Sequence, residues 1–182
     1  MNIEDVTVAL LDALEQMQCD YMLVGAIAAI HYGISRSTFD VDVVVQLEPH
    51  HASQLADRLG PKFRLDRQQA FEVFTVTTLH VLHLLDTPFK IDLFPLTSDP
   101  FDQQRFARRR QVQMRSRKAY LPTAEDMIVQ KLRWGRNKDL DDTLDMIAVQ
   151  FNELDWAYME HWCGLHGTFD ELQRLRAQIG GD

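Results

Sequence analysis

The sequence predicts an α/β (α+β) protein, a mixed sheet with flanking helices followed by a C-terminal helical region. Three observations carry this. Short apolar strand-like segments alternate with helical ones through the first part of the chain. The segments FEVFTVTTLHVLHLLD and FKIDLFP, rich in Phe, Val, Thr and Leu and separated by a break at Thr87 and Pro88, form a hairpin-like run. From Pro122 onward the apolar residues recur at helical spacing. Residues 1–121 are therefore expected to form the α/β core, and 122–182 a helical region packed on it. No Ser/Gly-rich linker or internal repeat interrupts either.

Taken in order, residues 2–18 place Val6, Leu10, Ala13, Leu14 and Met17 on one helical face, with Asn2 as the cap. YMLV is a short strand, Gly25 permits a tight turn, and AIAAIHYG is a short helix ending at Gly33. DVDVVVQ is a second strand, and HHASQLADRLG a helix closed by Gly60. In the last third, Thr123 with Asp126 and Thr168 with Glu171 have capping-box spacing, and Gly135 and Gly164 mark helix ends. Leu140, Leu144, Ile147, Ala148 and Phe151 trace a stripe expected in the core, as are Trp134, Trp156 and Trp162.

Composition excludes several classes. With 46% hydrophobic and 25% charged residues over 182 positions, the chain supports one sizeable core rather than disorder. No run approaches the roughly 18 apolar residues that cross a bilayer, and the N-terminus MNIEDVTVAL is acidic where a leader would be basic, so a cytoplasmic location without membrane contact is expected. Cys19 and Cys163 have no ligand spacing and read as buried free thiols. A net charge of −8 argues against nucleic-acid binding by the whole surface. Yet RFARRRQVQMRSRK, from Arg105 to Lys118, holds seven basic residues and no acid. Two readings fit that run: a solvated connection, or a basic rim that gathers a polyphosphate or an RNA end.

The chemistry lies in the acids. Side chains alternate along a strand, so Asp40 and Asp42 share one face, and Val41 and Val43 the other. A third acid, Asp92, stands in the apolar FKIDLFP. Burying unpaired charge in such surroundings is costly, so the trio implies a metal or basic partners, and oxygen-only donors favour Mg²⁺ or Mn²⁺. Upstream, the strand, glycine turn and helix start form a site suited to phosphate. The histidines carry less: His31 reads as an exposed helical residue, and His80 and His83 fall on opposite faces of a strand.

Together these parts resemble the nucleotidyltransferase superfamily related to DNA polymerase beta. Its signature is a hydrophobic residue, Gly, then Gly or Ser, a spacer, Asp-x-Asp/Glu, and a third acid on a neighbouring strand. The matching residues are Val24, Gly25, Ala26, Asp40, Asp42 and Asp92. RSTFDVD is similar to the small prokaryotic nucleotidyltransferases of toxin–antitoxin and phage-defence systems, and PTAEDMIVQKLRWGRNKDLDD resembles their helical half, where Lys131 and the Lys138–Asp139 pair match a lysine and a KD feature. Ala26 departs from the pattern, removing a hydroxyl contact but keeping its backbone N–H.

The resemblance implies transfer of NMP from an NTP to an acceptor hydroxyl on an RNA end, a protein or a small molecule, with release of pyrophosphate. Asp40, Asp42 and Asp92 would be catalytic and hold Mg²⁺ or Mn²⁺, with Asp92 nearest the acceptor. Gly25, Ala26, Arg36 and Lys131 would bind the nucleotide. For Arg36 a structural pair with a carboxylate fits equally, and for Lys131 an exposed helical position. An antitoxin protein is among the implied partners. The alternative is a catalytically weak nucleotide-binding or toxin–antitoxin interaction module on the same fold.

Overall fold

The computed structural model describes residues 1–34, 36–46, 50–72 and 77–180. Val73 to Val76, within the expected strand at 71–86, lie outside the described residues. The elements are α1 (Ile3–Gln16), β1 (Tyr21–Leu23), α2 (Gly25–His31), β2 (Asp40–Val45), α3 (His51–Leu59), β3 (Phe63–Leu65), β4 (Ala70–Glu72), β5 (Thr77–Leu84) and β6 (Lys90–Pro95). They continue as α4 (Pro100–Ala107), β7 (Arg110–Met114), β8 (Arg117–Leu121), α5 (Ala124–Trp134), α6 (Asn137–Gln150), α7 (Trp156–His166) and α8 (Phe169–Gly180).

The chain divides into two compact units, residues 1–28 with 37–122, and residues 29–36 with 123–182. The first holds a mixed sheet in the order β1-β2-β6-β5-β3, with β4 pairing β5 and a separate β7–β8 hairpin. Among the described residues only β2 and β6 run parallel; the other pairs are antiparallel. Residues 77–84 and 90–95 form the antiparallel pair that the sequence suggests. On one sheet face Val41, Val43, Val45, Ile91 and Leu93 are fully buried. Helix α1 packs against β2 and against α3, and presents Val6, Leu10, Leu11 and Leu14 as its own buried face. Asn2 caps α1 in a reciprocal box with Asp5.

The second unit is helical. Thr123 caps α5 by accepting from the Asp126 N–H, and Gly135 ends that helix in the left-handed region. Gly164 does not end a helix; it lies inside α7, which stops at Gly167 with φ +72°. The buried stripe of α6 is Asp139, Thr143, Met146 and Ile147, whereas Ala148 is exposed and Leu140 and Leu144 are half-buried. Trp134, Trp156 and Trp162 are half-buried rather than core residues. Guanidinium groups cover two of their rings: Arg136 lies 4.9 Å from the Trp134 centroid, and Arg176 4.3 Å from that of Trp156. Both cysteines are free thiols, but only Cys163 is buried; Cys19, just before β1, is partly exposed. Among the described residues no helix is long and apolar enough to cross a membrane.

Candidate active site

Strands β2 and β6 position the acids. They pair in parallel with Asp40 opposite Lys90 and Asp42 opposite Asp92. Residues in register on neighbouring strands project to the same side, so Asp40, Asp42, Lys90 and Asp92 form one patch on the central strands. The same face becomes apolar farther along, where Val44 joins Met22, Val24 and Phe106 in a buried cluster with Phe94 and Leu96 against it. The acids thus occupy the beginning of both strands, and an apolar cluster the end.

Gly25 explains the geometry at Asp42. The Val24 N–H donates to the Asp42 carbonyl over 2.9 Å, which brings the turn onto β2. Gly25 then adopts φ +60°, and a Cβ on it would lie 2.0 Å from Asp42 Oδ2 and 2.8 Å from its Cγ. Both the dihedral and the close approach demand glycine. Residue 26 follows in the first turn of α2, partly exposed.

The cation in this patch is a lysine that sequence reasoning missed. Lys90 Nζ donates to Asp92 Oδ2 over 2.6 Å and stands 3.8 Å from Asp40 Oδ2. The signal was present in K-I-D, because a strand residue two before Asp92 shares its face. Burial pushes the Asp92 carboxyl above the usual range, an effect that the Lys90 hydrogen bond and charge offset only in part. Burial opposes the Lys90 charge, but the hydrogen bond to Asp92 and the charges of Asp92, Asp40 and Asp42 outweigh it and raise its pKa. Asp92 Oδ1 is buried with no hydrogen-bond partner among the described residues. The three carboxylates are brought to one face but, as oriented, do not close on a single point; among the described residues no three acidic, His or Cys side chains form such a cage. On the same face of β5, opposite Lys90, His83 is 3.0 Å from Asp66.

Within the second unit, Lys131 is buried, not an exposed helical lysine. Its Nζ donates to Asp142 Oδ2 over 2.6 Å and lies 3.6 Å from Asp139 Oδ1. Arg36 Nη1 also donates to Asp142 Oδ2, at 2.5 Å, the carboxylate pairing that its loop position allowed. Arg136 forks onto Asp139 at 2.5 and 3.1 Å, so Asp139 of the KD pair is buried between two cations, while Lys138 is exposed.

The basic run is largely neutralised inside the first unit. Arg105 pairs with Asp102 (3.0 Å), Arg109 with Asp20 (2.7 Å), Arg117 with both oxygens of Asp12 (2.9 and 3.0 Å), and Arg115 with Glu4. Arg109 also stacks 4.3 Å above the Phe106 ring. Among the described ion pairs, four of the seven basic residues are held by acids, three of those acids lying in α1 or shortly after it.

No family model matches the chain, and no curated protein sequence matches it. Solved structures do. An antigenic nucleotidyltransferase-like protein from Paracoccidioides brasiliensis superposes with a TM-score of 0.62 at 18% identity, covering 98% of this chain and 96% of that one. ANT(2″)-Ia, crystallised in complex with adenylyl-2″-tobramycin, gives 0.61 at 12% identity, covering 91% and 97%. The solution structure of the antibiotic-resistance factor ANT(2″)-Ia gives 0.61 at 11%, covering 94% and 95%. The mixed sheet, its flanking helices and these superpositions over nearly the whole chain identify the architecture as the nucleotidyltransferase fold.

Proposed function

We propose that the protein is a metal-dependent nucleotidyltransferase that moves NMP from an NTP to an acceptor hydroxyl and releases pyrophosphate. The observation that carries this reading is the register of β2 and β6, which sets Asp40, Asp42 and Asp92 side by side on one face with Asp42 seated on Gly25. The residues fit a hard divalent cation: the donors are carboxylate oxygens, three acids face one ammonium, and Asp92 Oδ1 is buried without a partner. Asp40 and Asp42 would hold the ion. When bound, Mg²⁺ or Mn²⁺ supplies neutralisation of the triphosphate and of the departing pyrophosphate.

The chain's own residues do the rest. Gly25 and Ala26 offer backbone that phosphate can approach closely, and the Asp92 carboxylate takes the proton of the acceptor hydroxyl. The acceptor oxygen bonds to the α-phosphorus as the bond from that phosphorus to the bridging oxygen breaks, and the electron pair leaves with pyrophosphate. Arg36 and Lys131, in a cluster where three cations share Asp139 and Asp142, are the proposed phosphate contacts of the second unit. With four residues of the basic run held by acids, an RNA end is one acceptor the fold would take, not the one singled out. A small molecule fits as well, as in the adenylylated tobramycin of the ANT(2″)-Ia complex.

The test is thermal. Mg²⁺ or Mn²⁺ together with an NTP should raise the melting temperature by more than the two separate shifts combined, because ligands that share one site stabilise the folded state jointly. Additive shifts refute a shared site. Incubation with each α-labelled NTP and candidate acceptors then identifies nucleotide and acceptor.

A further inference from the structure

We propose that Lys90 takes the place of a second metal ion on the acceptor side of the site, so that the protein works with one divalent cation and one fixed ammonium. The inference rests on the metal-dependent reading above and deepens it. Two-ion sites place the cations about 3.5–4 Å apart, each bridging acidic ligands and a reacting oxygen. Here the bridge between Asp92 and Asp40 is already made, by Nζ at 2.6 Å from one carboxylate and 3.8 Å from the other.

The occupancy is built into the backbone. Lys90 precedes Asp92 by two residues on the same strand face and is in register with Asp40 on the neighbouring strand, so its stem rises from within the patch. A tethered group acts at an effective concentration on the order of millimolar or above, and it does not dissociate. A second free cation would have to displace Nζ from Asp92 and Asp40, and it would meet the repulsion of the ammonium that remains tethered beside them. An ammonium also has three donors, which suits it to hold Asp92 Oδ2, face Asp40 and reach an acceptor oxygen. Lysine supplies one positive charge where a second ion would supply two, and it suits a reaction in which the acceptor hydroxyl is deprotonated by Asp92 during attack.

Electron paramagnetic resonance with Mn²⁺ and a non-hydrolysable α,β-methylene NTP tests this without turnover. The wild type should show an isolated Mn²⁺ signal at one bound ion per chain, Lys90→Ala a spin-coupled pair at two, and Lys90→Arg the isolated signal again. Circular dichroism melts establish that each variant is folded, and Lys90→Met, which keeps most of the stem, replaces Lys90→Ala if that chain does not fold. A coupled pair in the wild type overturns the proposal while leaving the nucleotidyltransferase reading intact, and so does an isolated signal in a folded Lys90→Ala or Lys90→Met. No protein-bound Mn²⁺ in the wild type overturns both.

Discussion

Replacing Gly25 by Ala tests the link between turn and site most directly. Two costs add. A non-glycine residue at φ +60° carries a backbone penalty of about 1–2 kcal/mol. The new Cβ would also stand 2.0 Å from Asp42 Oδ2 and 2.8 Å from Cγ, so the carboxylate must leave its present position, at about 0.5–1.5 kcal/mol for a displaced rotamer. The sum, about 1.5–3.5 kcal/mol, is a sizeable part of a stability of about 5–15 kcal/mol. Urea titration should show a lower midpoint at unchanged slope. The joint stabilisation by Mn²⁺ and NTP should vanish, because Asp42 no longer faces the ion. In an Asp42→Ala background the clash with Oδ2 and Cγ is gone and only a 3.1 Å contact with Cβ remains, so Gly25→Ala should cost only the backbone part. The coupling of about 1 kcal/mol exceeds the scatter of independent mutations, about 0.3–0.5 kcal/mol. Full additivity, or a Gly25→Ala protein that keeps the wild-type ligand shift, would refute the packing argument.

Asp40→Asn, Asp42→Asn and Asp92→Asn should each lower transfer by several orders of magnitude while leaving the chain folded; undiminished transfer in Asp40→Asn refutes the mechanism. Because burial raises the Asp92 pKa, the transfer rate should fall with decreasing pH at a midpoint above that of an ordinary aspartate, and a midpoint at or below it would exclude Asp92 as proton acceptor. The stability sign is opposite for the two partners: the raised Asp92 pKa costs stability at neutral pH, a cost that disappears as pH falls through it, whereas the raised Lys90 pKa adds stability that is lost as pH rises through it. Tyr158 Oη donates to the buried Asp126 carboxylate over 2.5 Å, so Tyr158→Phe should destabilise by about 1.5–3 kcal/mol in a denaturant titration. Replacing the acid-paired Arg109 and Arg117 by Ala should leave the salt dependence of any RNA binding unchanged, and a flatter slope would restore the basic rim.

The parts of the site that were legible are local ones. Asp40 and Asp42 share a face by the period of a strand, Gly25 marks its own turn, and the break at Thr87 and Pro88 separates β5 from β6. Lys90 was equally local and obeys the same period; the acids drew the chemistry and the lysine beside them went unread. The β7–β8 hairpin was hidden because its turn residues, Arg115 and Ser116, take φ +44° and +64°, positions where Asn or Gly would normally announce a hairpin. The sequence marks Gly164 as a helix stop, but the helix runs through it to Gly167, three residues on, and nothing in composition separates the two glycines. The fate of the basic run was out of reach, since Glu4 and Asp12 meet Arg115 and Arg117 across roughly a hundred residues of chain.

The change from acid to apolar along β2 and β6 has a consequence for how the site moves. Asp40 and Asp92 belong to strands flanked on both sides, and their neighbours Val41, Val43, Ile91 and Leu93 are fully buried. Opening this region would break the central core, so the amides of Val41, Val43 and Ile91 should exchange with solvent only through global unfolding. The acids are consequently preorganised: a ligand arriving here spends little of its binding energy on immobilising backbone, and that energy remains for orienting the phosphates.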